Sequence, residues 1–232
     1  MRNVLIAGTG YLGESIAYDF LRHGFHVTVN SRNEKKLDDI KNRLSAYGSI
    51  DHIAMELKDM ESCKNLMDEM HKRHGSIFGL IVSVGGYVED SIEDPTGLDV
   101  MINNHLKIPV YLASAALKYM EHGSSIMFIS NSTADRKSNL RTFSYTISKY
   151  ALNKAVKIAA VNLINKGIRV NAVAPDYIIE SFEPNRDYHA MHKYGKPETP
   201  VEDISRVVYD IMAENDWING EIIAVDGGHS LL

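Results

Sequence analysis

The chain has 232 residues, enough for one large domain or two small ones with a substantial core. Hydrophobic residues at 44% and charged residues at 24% are ordinary for a globular protein. With 25 basic and 30 acidic residues the net charge is −5, which argues against nucleic acid or an anionic membrane as the main partner.

Met1-Arg2-Asn3 passes straight into an apolar strand at Asn3–Ala7. No signal peptide is read, and no apolar run reaches membrane-spanning length, so a cytoplasmic protein is the simplest expectation. Gly8-Thr9-Gly10-Tyr11-Leu12-Gly13 follows that strand and opens a helix over Leu12–Arg22. Gly8 permits a tight turn, Gly10 lets a pyrophosphate approach the backbone, and Gly13 lets the helix pack against the strand. The N–H groups of the helix start then meet the phosphates. Strand-turn-helix context raises this motif above a bare G-x-G-x-x-G, whose other reading is a glycine turn without ligand.

The second strand, His26–Asn30, runs into Ser31-Arg32 with no acid at its end. A carboxylate there would accept hydrogen bonds from the adenosine ribose of NAD. A guanidinium at Arg32 and a hydroxyl at Ser31 instead suit the 2′-phosphate of NADP. Helix Glu34–Ala46, strand Ile50–Met55, helix Glu61–His74 and strand Phe78–Ser83 continue the alternation. The one cysteine, Cys63, falls on that third helix, which excludes an intramolecular disulfide and a cysteine metal cluster and suggests a structural thiol.

Helix Leu98–Glu121 and strand Ser125–Ser130 lead to a polar, basic stretch at Thr133–Phe143. Helix Ser144–Asn165 then carries Tyr145 and Lys149, four apart and therefore on one face. An ammonium beside a phenol favours the phenolate, so the pair is expected to lower the tyrosine pKa and suit it for proton transfer. Strand Ile168–Val173, a proline-bearing stretch at Asp176–Pro200, helix Val201–Ala213 and strand Glu221–Val225 complete the chain. Both irregular stretches follow strands, where open α/β sheets bind ligands, and the second is long enough for a substrate lid. No linker or repeat interrupts the pattern, so 1–232 reads as one domain with a parallel sheet covered on both faces. His189-x-x-His192 has a spacing that can bind metal but lacks a third ligand nearby, and no metal is expected.

With the glycine loop and the Tyr145-x-x-Ser148-Lys149 signature together, the chain resembles the short-chain dehydrogenase/reductase family over nearly its whole length. Ser132, thirteen residues before Tyr145 (145 − 132 = 13), has the family's usual spacing. Gly167–Pro175, Lys196-Pro197-Glu198 and Val225-Asp226-Gly227-Gly228 also match, with the 3-oxoacyl-thioester reductases nearest in look and sugar or polyol dehydrogenases next.

The resemblance implies a Rossmann-like fold of about seven parallel strands and hydride transfer between NADP (or NAD) and a carbonyl/secondary alcohol. It implies Tyr145 as proton donor, Lys149 as its cation and a ligand of the nicotinamide ribose, and Ser132 as the group polarising the carbonyl, with Ser130 as runner-up. It also implies cofactor contacts from Gly8, Gly10, Tyr11, Leu12 and Gly13, from Glu56, Leu57, Ser83, Val84 and Gly85, and from Pro175 and Ile178. A homodimer or homotetramer is expected.

Several positions depart from the family pattern. The glycine loop is one residue short, and Ser83-Val84-Gly85-Gly86 stands where the family has Asn-Asn-Ala-Gly. His105, or Asn104 beside it, occupies the usual asparagine position, where it holds a proton-relay water or serves the core. Asp176 replaces a glycine. These departures lend weight to a rival reading, a dinucleotide-binding sensor or scaffold without turnover.

Overall fold

Val4-Leu5-Ile6-Ala7 is wholly buried, as a strand covered on both faces must be. Alternate residues serve opposite cores: Val4 and Ile6 pack on one side, Leu5 and Ala7 on the other. A computed structural model describes residues 1–137 and 140–232. Ser138 and Asn139, within the irregular stretch read at Thr133–Phe143, lie outside the described residues.

Among the described residues, seven strands form a parallel sheet: β1 (Asn3–Ala7), β2 (His26–Ser31), β3 (Ile50–Ala54), β4 (Ile77–Val82), β5 (Met120–Ile129), β6 (Arg169–Ala174) and, after two short strands, β9 (Ile222–Ala224). Their order is β3-β2-β1-β4-β5-β6-β9. Helices α1 (Tyr11–Arg22), α2 (Glu34–Leu44) and α7 (Val201–Tyr209) cover one face. On the other lie α3 (Met60–His74), α4 (Leu98–Ile102), α5 (Ile108–Ala116) and α6 (Phe143–Leu163). This is the Rossmann-like arrangement expected from the alternation of apolar runs. Cys63 is buried in the second core, and burial pushes its thiol up to about 11, as suits a packing residue.

The helix read at Leu98–Glu121 differs in two ways. A π-helical turn at Asn103–Lys107 separates α4 from α5, and β5 already begins at Met120, where it pairs with Ile77 before shifting register to Ser125 opposite Gly79. Pro109 has no N–H to give the carbonyl four residues back, that of His105, so the wider turn falls where the α ladder is broken.

The stretch 176–200 is tied down at several points. Its strands β7 (Tyr177–Ile178) and β8 (Glu198–Thr199) pair with each other. Arg186 bonds Glu202 at 2.6 Å, His192 pairs with Asp203 at 2.7 Å, and the Tyr18 hydroxyl donates to Asn185 at 2.6 Å. No helix among the described residues is long and apolar enough to cross a membrane.

Candidate active site

The chain reverses its progress across the sheet between β1 and β4, which opens a crevice at the carboxyl ends of those strands. Gly8 turns there with φ +102°, and a Cβ on it would lie 2.4 Å from the Ser83 carbonyl oxygen. A Cβ on Gly13 would lie 2.2 Å from the Gly8 oxygen, so the first turn of α1 closes onto the loop. Gly10 is different, because nothing lies within 4 Å of where its Cβ would be.

The Thr9 hydroxyl is buried without a partner, and no side chain caps the first N–H groups of α1. Open space over Gly10, an orphan hydroxyl and unpaired amides together fit a pyrophosphate. Tyr11 is half-exposed on the first turn while Leu12 faces the core.

Asn30, which sequence reasoning passed over, fixes the ends of the neighbouring strands. Its amide donates to the carbonyls of Ile53 (2.9 Å) and Met55 (3.1 Å), while its own carbonyl accepts from Gly8 N–H. Its burial between apolar strands was the available signal. Beyond it the Ser31 hydroxyl accepts from Asn33 N–H, and Arg32 projects into solvent 3.6 Å from Glu56, with Leu57 beside that acid.

Ser83, Val84 and Gly85 follow β4, and the π-helical turn supports this loop. Asn104 donates to the Gly85 carbonyl at 3.3 Å, and His105 Nε2 lies 2.9 Å from the Gly86 carbonyl. A carbonyl only accepts, so Nε2 carries the proton and Nδ1, buried and unpartnered, is left as an acceptor. Burial, then the charge of Lys149, holds this imidazole down at about 3, so it stays neutral.

The start of α6 is set from a distance. Asp90 accepts from the N–H of Ser144 (2.9 Å), the Ser144 hydroxyl (2.5 Å) and the N–H of Gly97 (3.0 Å). The next residue, Tyr145, is thereby fixed between the rings of Tyr87 and His105, with centroids 5.4 and 5.3 Å away. Lys149 is buried, its Nζ 5.7 Å from the centre of the tyrosine ring, and donates to the Ile129 carbonyl at 2.8 Å.

The expectation that the amine lowers the phenol's pKa is corrected here. Burial first, then the charges of Asp176 and Tyr87, push the Tyr145 phenol up to about 12, against a smaller opposing effect of Asn131. Lys149 is itself held down to about 7 by burial, so its positive charge is weakened where the phenol would need it.

The residues after β5 divide between two environments. Ser130 donates to Asn153 Oδ1 at 2.5 Å. Ser132, buried, is turned toward the Asp226 carboxylate. Asn131 approaches the Tyr145 hydroxyl. Pro175 accepts from the N–H of Ser132, Ile178 lies in β7, and Asp176 pairs with His229 at 2.6 Å.

A crevice at a topological switch point, a glycine loop with room over Gly10, and a tyrosine–lysine pair on one helix face define a dinucleotide-binding α/β oxidoreductase. The family model described as enoyl-(acyl carrier protein) reductase matches residues 7–230. The chain belongs to the short-chain dehydrogenase/reductase family. It is 28% identical to versicolorin reductase of Emericella nidulans, covering 97% of this chain and 94% of that one. With glucose and ribitol dehydrogenase of Daucus carota the identity is 25%, over 97% and 83%. The solved structure of ElxO with NADP bound superposes with a TM-score of 0.86 at 25% identity, over 100% and 99% of the two chains.

Proposed function

We propose that this protein is an NADPH-dependent carbonyl reductase that also runs in the direction of alcohol oxidation. Gly8–Gly13 and the start of α1 would hold the pyrophosphate, and Arg32 with Ser31 would hold the 2′-phosphate. Ser83–Gly85, Glu56 and Leu57 border the adenosine. Pro175 and Ile178 border the nicotinamide, which supplies the hydride when bound.

Tyr145 gives its phenolic proton to the substrate oxygen as the carbonyl carbon becomes tetrahedral. In oxidation it takes that proton back. Lys149 has one carbonyl partner and three N–H bonds, which leaves two for the ribose hydroxyls. The donor to the carbonyl oxygen comes from the segment after β5, Ser130-Asn131-Ser132.

The observation that carries this reading is the partly exposed Tyr145 set over the buried amine of Lys149, beside the loop that follows β4. The relatives' names mention glucose, ribitol and versicolorin. They support small hydroxylated or oxo substrates, with 3-oxoacyl esters and aldoses or polyols as the classes to try. A single chain of 1–232 acts as the working domain, with 176–200 bordering the substrate.

The test is NADPH absorbance with ethyl acetoacetate, a naphthoquinone and, in reverse, glucose or ribitol with NADP. Wild type should turn over at least one of them. Tyr145→Phe should lose at least 10²-fold in kcat with its dissociation constant for NADPH unchanged, and full activity in that variant would defeat the proposal.

A further inference from the structure

We propose that Asn131, rather than Ser132, is the hydrogen-bond donor that holds the substrate's carbonyl oxygen beside Tyr145. The inference rests on the carbonyl-reductase reading above and assigns one of its parts.

The segment after β5 still follows β6: Ser130 N–H donates to Val173 at 2.8 Å and Ser132 N–H to Pro175 at 2.9 Å. Residues whose amides point the same way along an extended chain share one side, and the residue between them takes the other. Ser130 and Ser132 are thus in phase with each other, and Asn131 is out of phase with both. Ser130 commits its proton to Asn153 Oδ1, and Ser132 is turned toward the Asp226 carboxylate. Ser132 also closes no hydrogen bond of normal geometry, although it is buried. Ser132 is not among the groups that influence the Tyr145 phenol, whereas Asn131 is.

Asn131 is 7% exposed, and its amide orientation is fixed by its neighbours. Oδ1 accepts from the Thr133 N–H at 3.0 Å and from the Thr133 hydroxyl at 2.6 Å. Two donors on that atom identify it as the oxygen, so Nδ2 occupies the opposite end. One of its N–H bonds reaches the Asp176 carbonyl at a long 3.4 Å. The side chain also favours the ionised form of Tyr145, the effect of a donor near its hydroxyl, and the amide's donor end is the one that Thr133 leaves available.

A donor held beside the proton donor, in a buried setting, is the arrangement that stabilises charge gathering on a carbonyl oxygen. In reduction the oxygen accepts the Asn131 hydrogen bond, takes the Tyr145 proton, and leaves as an alcohol. Asn131 itself exchanges no proton, because a neutral amide polarises without titrating.

The experiment compares Asn131→Ala, Asn131→Ser and Ser132→Ala in the full-length protein with the same substrate panel. Asn131→Ala should lose about 10²–10³-fold in kcat/KM, with NADPH affinity unchanged by fluorescence titration. Asn131→Ser, which restores a hydroxyl donor, should recover part of that loss, and Ser132→Ala should stay within about threefold of wild type.

A second readout needs no turnover. In protein labelled with 13C at tyrosine Cζ, the Tyr145 resonance (assigned by its absence in Tyr145→Phe) should move in Asn131→Ala and stay in Ser132→Ala. A Ser132→Ala loss as large as that of Asn131→Ala would overturn the assignment. So would an Asn131→Ala defect confined to NADPH affinity, or an unmoved Tyr145 resonance. Full activity in Tyr145→Phe would instead defeat the reductase reading itself, with the resonance still reporting where Asn131 points.

Discussion

Asp90 grips Ser144 across 54 positions of chain, through both the backbone N–H and the hydroxyl, and so sets where α6 begins. A third donor, Gly97 N–H, ties the same carboxylate to the start of α4. Replacing Asp90 with Ala should free the first turn of α6 and misplace Tyr145. We expect kcat to fall on the order of 10-fold or more while the dissociation constant for NADPH changes little. Hydrogen bonds from Ser144 hold the carboxyl below its ordinary value, so the tie persists at neutral pH and loosens only as pH falls through the folded-state pKa. Paired kcat and binding measurements check both statements.

The glycine loop separates folding from binding. Gly13→Ala would put a methyl 2.2 Å from a backbone oxygen, so the melting temperature should drop sharply. Gly10→Ala meets no protein atom and should fold with a near-normal melting temperature. Its methyl would instead occupy the space meant for phosphate, and NADPH affinity should fall by roughly 10-fold or more. Equal damage to stability in both variants would contradict this division.

Arg32 and Glu56 lie 3.6 Å apart in solvent, where such a pair contributes little to stability. Arg32→Ala should therefore leave the melting temperature alone. It should raise KM for NADPH about 10-fold without affecting NADH, since one bidentate phosphate contact is removed. Glu56→Gln should tighten NADPH binding by removing a competing carboxylate. Steady-state kinetics with both cofactors decide the matter.

Asp176 raises the Tyr145 phenol through its negative charge. Asp176→Asn removes that charge, so the phenolate forms at lower pH. Alcohol oxidation needs the phenolate, and its rising limb should move down by roughly half a pH unit. Reduction needs the protonated phenol, so its falling limb should move the same way. A pH–rate profile in both directions tests the sign.

His105 is buried neutral and titrates at about 3, whereas an unfolded histidine takes up its proton near 6.5. Between those values the unfolded chain binds more protons, so stability must fall as pH drops. By pH 5 the loss is roughly 2 kcal/mol. His105→Gln keeps an N–H for the Gly86 carbonyl but has no ring to ionise. Its melting temperature should fall less steeply from pH 7 to pH 5 than that of wild type.

Sequence alone determined the class of this protein, because the signals that mark it are local. A continuous apolar run at Val4–Ala7, glycines at fixed offsets from a strand end, and a tyrosine and lysine one turn apart are all set by backbone geometry over a few residues. Only the tertiary structure decided what the site residues face and how they titrate. The Tyr145 phenol is pushed up by burial and by Asp176, which lies 31 positions away (176 − 145 = 31), and spacing along α6 carries neither effect. Thirteen-residue spacing points at Ser132, yet along the segment after β5 Asn131 is out of phase with Ser130 and Ser132, and it is Asn131 that favours ionisation of the phenol. Asp90 could not be read at all, since its partner Ser144 meets it only once the sheet has assembled. Local geometry repeats along a chain, whereas solvation and charge depend on which distant segments close over a group.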